Sequence, residues 1–269
     1  MIKPNVTSVI STVSKTFSGR NAEWSIGCGA IDEARYLRPG RVTTIFSRNR
    51  RTNTALAVEI ALRASLTANS RLGVLVLTPL VSASDYLTRM ASVMSGINVW
   101  KLNRGLLKSE RDEIERLYNN AAVRLSSANL LVEDSPDIDP DGLAAALKAT
   151  DPEFHLGLVV VDCLQDFGYR IEGAAGWSSL GCRLKRIAVA YDVPVLVFSG
   201  TSSDRIELPD VYDGYGCLQD YVDHSLQLAL QRTDAGGNRE FLLNRIGAED
   251  HEPSLTVFLD PKTERIKVC

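Results

Sequence analysis

The run Leu156-Gly157-Leu158-Val159-Val160-Val161-Asp162 constrains this chain more than any other feature. Leu and Val follow one another without polar alternation, so a strand formed here must be covered on both faces. A parallel strand meets that demand, because its crossover connections lay helices over the sheet. Short apolar runs recur at Arg41 to Ser47, Gly73 to Thr78, Asn129 to Glu133, Val193 to Ser199, His224 to Leu230, Glu240 to Leu243 and Ser254 to Asp260. Between several of them lie segments of helical spacing: Thr54 to Leu66 with one apolar face, Ser84 to Gly96, and Trp177 to Tyr191. Another helix is predicted to open at Ser109, with Asp112 as capping-box partner and Ile114, Leu117 and Tyr118 as its buried stripe. A further one opens at Asp139-Pro140 and runs through Leu147. This alternation predicts an α/β fold with a mainly parallel sheet flanked by helices.

The chain has 269 residues, 45% of them hydrophobic, enough to bury roughly three quarters of its unfolded surface. Its 30 Lys+Arg nearly balance 33 Asp+Glu, and the net charge of -3 gives no global pull toward DNA or anionic lipid. Any nucleic-acid contact must therefore be a local patch. The five cysteines are scattered without a C-x-x-C pair, which fits a reducing cytosol and argues against structural zinc. Three lone histidines add no ligand cluster, so no metal site is expected. No apolar run approaches the ~18 residues that span a bilayer, and the start MIKPNVTSV lacks the order of a secretion signal. A soluble, cytoplasmic protein with no membrane contact is expected. Residues 1–20 stand apart, because Val6, Val9, Ile10, Val13 and Phe17 fall at helical spacing in a polar segment, as an amphipathic arm. Such an arm folds back on its own domain or docks on a neighbouring subunit.

LRPGRVTTIF, a loop, TALAVEIALRA, GVLVLTPLVSA and LGLVVVDCLQDF follow one another, and ANLLVEDSPDIDPDGL, LKRIAVAYDVPVLVFS and LTVFLDPKTERI continue the series. From about Ile26 to the C-terminus this order resembles the ATPase core of DnaB-type replicative helicases. The resemblance implies a RecA-like doubly wound sheet, a P-loop NTPase-like core, over residues 21–269. Residues 1–20 would stand in for the family's linker helix, which packs on the adjacent subunit and helps build a ring.

A phosphate loop needs GxxxxGK[ST], because glycines let backbone N–H groups wrap the phosphates while the lysine neutralises their charge. The aligned stretch is Ser47-Arg48-Asn49-Arg50-Arg51-Thr52-Asn53-Thr54. Ser47 and Thr52 replace both glycines, and Asn53 cannot supply the cation. Thr54, on the magnesium side in the family, keeps its type. The resemblance makes Asp162 the Walker B aspartate, with Gln165 in the same DxxQ arrangement. Asp162 is also readable as a plain strand-end acid, since one carboxylate with one hydroxyl is a poor cage for magnesium without substrate phosphates. Leu80 falls where the family's water-activating glutamate lies, and loss of a general base typically costs about 10² to 10⁴ in rate. Gly200 replaces the polar sensor after VPVLVFS. Near the C-terminus Leu243 replaces a lysine while Arg245 retains the position of an arginine finger. Arg245 either acts in trans on an intact partner or pairs with local acids such as Glu249 or Asp250.

Arg35, Arg38, Arg41, Arg48, Arg50 and Arg51 fall between Ala34 and Val58 with no acid among them, making the loop locally basic. With Arg170 they are the candidates for holding an anion or single-stranded DNA, which also requires stacking aromatics or backbone amides along a groove. Phe167, Tyr169 and Trp177, and the loop Tyr212 to Gly216, are the candidates for that stacking, against the alternative of ordinary solvated loops. Three functions compete. One is a catalytically degenerate relative, a pseudo-ATPase acting in DNA replication by contact with a replicative helicase or with its own copies, as partner, loader or inhibitor. It needs no cofactor. Another is a working ATP-dependent helicase with divergent motifs, which would need ATP and magnesium. The third is a single-strand DNA-binding module.

Overall fold

β4 (His155–Val161) lies inside the sheet between β2 (Leu72–Leu77) and β5 (Val195–Gly200), and its last five residues are buried. Leu158 and Val160 face one layer of core while Val159 and Val161 face the other. Both faces are covered, as the unbroken Leu/Val run requires. The computed structural model describes Ser25 and residues 29–66, 72–104, 111–137, 142, 154–170, 173–200, 219–246 and 254–269. The remaining elements, in chain order, are α1 (Gly29–Ala34), β1 (Val42–Ser47), α2 (Arg50–Leu66), α3 (Ala83–Ser95), α4 (Val99–Arg104), α5 (Arg111–Ser126) and β3 (Leu130–Glu133). A 3-10 turn (Leu164–Arg170), α6 (Gly173–Tyr191), β6 (His224–Thr233), β7 (Arg239–Arg245), β8 (Leu255–Leu259) and β9 (Ile266–Val268) follow.

Among the described residues the strands form one sheet in the order β3-β2-β4-β5-β1-β6-β7-β8-β9. From β3 to β6 every pairing is parallel; β6 to β9 add an antiparallel extension. Helices α2 and α3 pack in one core layer through Leu56, Ile60, Tyr86 and Met90, and α6 packs in the other through Leu180, Leu184 and Ile187. Helices therefore cover both faces of the parallel part, the doubly wound arrangement expected. α3 is bounded as its sequence dictates. Ser82 caps its start by accepting the Asp85 N–H at 3.0 Å, and Gly96 ends it at φ 72°, which glycine adopts without strain.

Two expectations change. α2 starts at Arg50 rather than Thr54, and it is buried all round from Thr52 to Leu62 rather than along one face. Small side chains at Ala55, Ala57, Ala61 and Ala64 let it pack closely on the sheet on one side and on α3 on another. β9 and α4 carry too few residues for a periodic signal and were not anticipated. The arm at 1–20, Ser109, the helix from Asp139 (Gly142 apart) and the loop Tyr212 to Gly216 lie outside the described residues.

Candidate functional site

The site sits where β1 and β4 end. β1 closes at Ser47, only Arg48 and Asn49 intervene, and α2 begins. Asn49 caps it. Its carbonyl accepts the N–H of Thr52 at 3.0 Å and of Asn53 at 3.2 Å, and its side-chain oxygen lies 3.4 Å from the Thr52 nitrogen. A phosphate cradle instead keeps such amides aimed at its ligand.

Asn53 is fully buried. Its Oδ1 accepts from the Ser47 hydroxyl at 2.8 Å and its Nδ2 donates to the Ser199 carbonyl at 2.9 Å, which ties α2 to β1 and β5. One residue on, Thr54 Oγ1 donates to Asp162 Oδ1 at 3.2 Å. Asp162 is buried at the end of β4, the Asp162–Cys163 peptide is cis, and Asp162 Oδ2 accepts no hydrogen bond among the described residues. Burial pushes its carboxyl up to about 7, with nearby Asp166 adding to the rise, while the Thr54 hydroxyl and the charges of Arg50 and Arg89 oppose it. Tyr86 of α3 and Thr52 likewise carry buried hydroxyls without partners among the described residues. The Tyr86 phenol is pushed above its usual range by burial and then by the Asp162 charge. Burial also raises the Cys163 thiol to about 11, so it is no nucleophile at neutral pH.

Gln165 spans β4 and β5. Its Nε2 donates to Ser199 Oγ at 2.8 Å and to the Gly200 carbonyl at 3.1 Å, and its Oε1 accepts the Gly200 N–H at 3.0 Å. Gly200 thus meets Gln165 through its backbone. Ser47, Thr52, Asn53, Thr54, Asp162 and Gln165 are all brought together here.

The arginines behave differently from the expectation of one basic loop. β1 separates them: Arg35, Arg38 and Arg41 precede it, and Arg48, Arg50 and Arg51 follow it. Six strand residues span roughly 20 Å, so the two sets stand at opposite ends of the sheet. Acids remote in sequence also reach the second set. Arg50 pairs with buried Asp166, and Arg51 Nε donates to Glu264 Oε1 at 2.8 Å. Arg89 of α3 holds the other oxygen of Glu264 at 3.0 Å. Burial raises the Asp166 carboxyl against the opposing pull of Arg50. Arg48, Arg50 and Arg51 still rim a cleft of about 590 Å³ whose far wall is Leu228, Leu230, Arg239 and Phe241.

Phe167 is not a stacking platform. It is only 9% exposed and belongs to the core that α6 covers. Arg170 ends the 3-10 turn, Tyr169 lies within it and Trp177 lies in α6, but their side chains are outside the description. Leu80 is 61% exposed and offers no base. Leu243 is fully buried. Arg245 closes β7 opposite Leu226, at the end of the sheet far from Thr54, so it contributes nothing to this site in cis. Glu249 and Asp250 lie outside the described residues.

Asn49, Asp166, Ser199 and Glu264 were not anticipated as site residues. Asn49 had a readable signal, an N-cap residue three before Thr52 at a helix start. Asp166 and Glu264 had none, since their partners lie 116 and 213 residues away.

A mainly parallel, doubly wound sheet in which a helix after β1 delivers a hydroxyl to a carboxylate at the end of β4 defines a RecA-like domain. The family model of the DnaB-like helicase C terminal domain matches residues 30–205, and the chain belongs to that family. Two solved structures are similar in fold. The ATPase domain of G40P superposes with a TM-score of 0.76 at 17% identity, covering 99% of each chain. A DnaB-like replicative helicase, described with its interactions with primase, gives a TM-score of 0.73 at 15% identity, covering 99% of this chain and 67% of that one. No curated protein matches the sequence.

Proposed function

We propose that this chain is a catalytically degenerate DnaB-like domain that acts in replication by protein contact, on a replicative helicase or on its own copies, rather than by hydrolysing ATP. One observation carries the reading: the Thr52 and Asn53 amides are already bonded to Asn49, so the first turn of α2 leaves no open cradle. The residues present do not fit a triphosphate with magnesium. Asn53 supplies no cation and is itself pinned, Arg50 is paired with Asp166, and Arg51 shares Glu264 with Arg89. Asp162 and Thr54 offer one carboxylate, its pKa raised to about 7, and one hydroxyl that faces it, a poor cage for magnesium unless substrate phosphates supply the other oxygens. The fold then persists as an interaction surface, which fold alone permits and does not specify.

Titration calorimetry with ATP and magnesium, beside co-purification with the host's replicative helicase and sizing of the complex, tests the reading. No heat together with a sized complex is the expected pair of results. Micromolar ATP binding lost in Asp162→Ala would overturn it in favour of a working ATPase. Primase belongs in the same co-purification, because the similar helicase is described with it.

Single-strand binding at the 590 Å³ cleft is the second reading, favoured by Arg48, Arg50, Arg51 and Arg239 around it. The pairing of Arg50 and Arg51 with acids weakens it, since each contact would first have to be given up. An affinity that does not fall between low and moderate salt removes it.

A further inference from the structure

We propose a second site, for a phosphate group, at the opposite end of the sheet from Thr54 and Asp162. There a pocket of about 370 Å³ is lined by Arg35, Arg38, Arg41, His224, Arg245 and Asp223. Three elements build it: the segment between α1 and β1, the start of β6 and the end of β7. Four arginines line it against one carboxylate, and that carboxylate is already committed. Asp223 Oδ1 holds Arg41 at 2.6 Å, and Oδ2 accepts from Lys185 at 2.6 Å and from the Val42 N–H at 2.8 Å. Burial pushes the Asp223 carboxyl up, but these hydrogen bonds together outweigh it and keep the acid ionised. Arg35 and Arg38 are exposed, and Arg35 sits at φ 56°, an uncommon conformation for a non-glycine residue, with its N–H donating to the Asp32 carbonyl at 3.1 Å.

His224 marks the inner end. Its Nδ1 is buried and has no hydrogen-bond partner among the described residues. Burial lowers its pKa, and the charges of Arg245, Arg41 and Arg38 lower it further, against a smaller opposing effect of Asp223. Burial and then the neighbouring cations disfavour the charged imidazole, and an entering phosphate supplies the hydrogen-bond partner that Nδ1 lacks among the described residues. Several guanidinium groups around one space match a phosphate, which offers three acceptor oxygens to bidentate donors, better than a carboxylate. The inference stands apart from the reading of the α2 start.

The test is an NMR titration of the full chain with inorganic phosphate at low ionic strength, following the His224 imidazole and its pKa. A saturable shift of His224 with an upward pKa is expected. R38Q and R245Q each weaken phosphate by about tenfold, as loss of a charged hydrogen bond does, while R232Q, a similar loss of charge on the exposed stretch of β6, leaves it unchanged. Thermal melts establish that each variant is folded. Competition by oligothymidylate identifies the group as a nucleic-acid phosphodiester; competition by ADP alone identifies it as the phosphate of a free nucleotide. The proposal fails if His224 moves no more than His155, or if R232Q weakens phosphate as much as R245Q. It also fails if phosphate binds only after E249Q/D250N/E252Q, since the pocket would then belong to the chain's own acids.

Discussion

At Asn53 a single side chain decides two matters at once. It carries no charge for a phosphate, and its amide bonds Ser47 and Ser199, so it is built into the packing between β1, α2 and β5. Asp162 shows the same site from its acidic side. Its ordinary value is 3.8, and burial first, then Asp166, raise it to about 7 in the fold. The folded state therefore holds this proton more tightly than the unfolded chain does. The associated stability is complete below about pH 4 and is lost as pH climbs through about 7. Asp162→Asn keeps an acceptor for Thr54 and carries no charge. It is expected to match the parent only near pH 3.5 in urea melts and to exceed it by roughly 4 kcal/mol at pH 8, the span between 3.8 and about 7. Parallel curves at the two pH values would show that the carboxyl is already neutral or already solvated. The exchanges at Ser47, Thr52, Asn53 and Leu80 are read from the family resemblance alone. Their geometric outcome is not, because a motif alignment treats Ser47 to Thr54 as a loop whatever fills it, and Asn49 turns the middle of that loop into a helix start.

Elements remote in the chain lock the start of α2. Glu264, buried in the turn between β8 and β9, holds Arg51 of α2 and Arg89 of α3 on its two oxygens, and its backbone sits at φ 58°. Neutralising such an acid leaves the largely covered Arg89 without its partner and frees Arg51, which solvent already reaches. Glu264→Gln is expected to cost roughly 1 to 3 kcal/mol in chemical denaturation, and an unmoved midpoint would mean that the triad contributes nothing. Local reading found α3 and most of the parallel strands because caps and apolar runs are encoded within a few residues of where they act. It could not find this triad, whose members at 51, 89 and 264 meet only once the sheet has brought them together.

Across the whole molecule the fold was the most legible part, since an unbroken run such as LGLVVV admits few surroundings and the alternation around it fixed a parallel sheet. The charge distribution was the least legible. An apparently single arginine-rich stretch becomes two poles with β1 between them, and each pole meets acids from distant elements. Nucleotide binding also has a signature at this scale, because a ligand present at 100 times its dissociation constant adds about 2.7 kcal/mol to the folded state. In a chain of this length that moves the thermal midpoint by several degrees. Millimolar ATP with magnesium is expected to leave the midpoint within about one degree, and a clear rise would contradict the proposed loss of the cradle. Asn49 has one further consequence. With its carbonyl committed to a turn of α2, writing lysine back at position 53 would bury an unmatched ammonium in a site still wound as a helix, and writing glycine back at 47 or 52 would loosen that winding without yet gaining a cation. Each single substitution toward GxxxxGK[ST] is therefore expected to lose stability before it could gain a phosphate contact, so the wound helix start guards the packing around it.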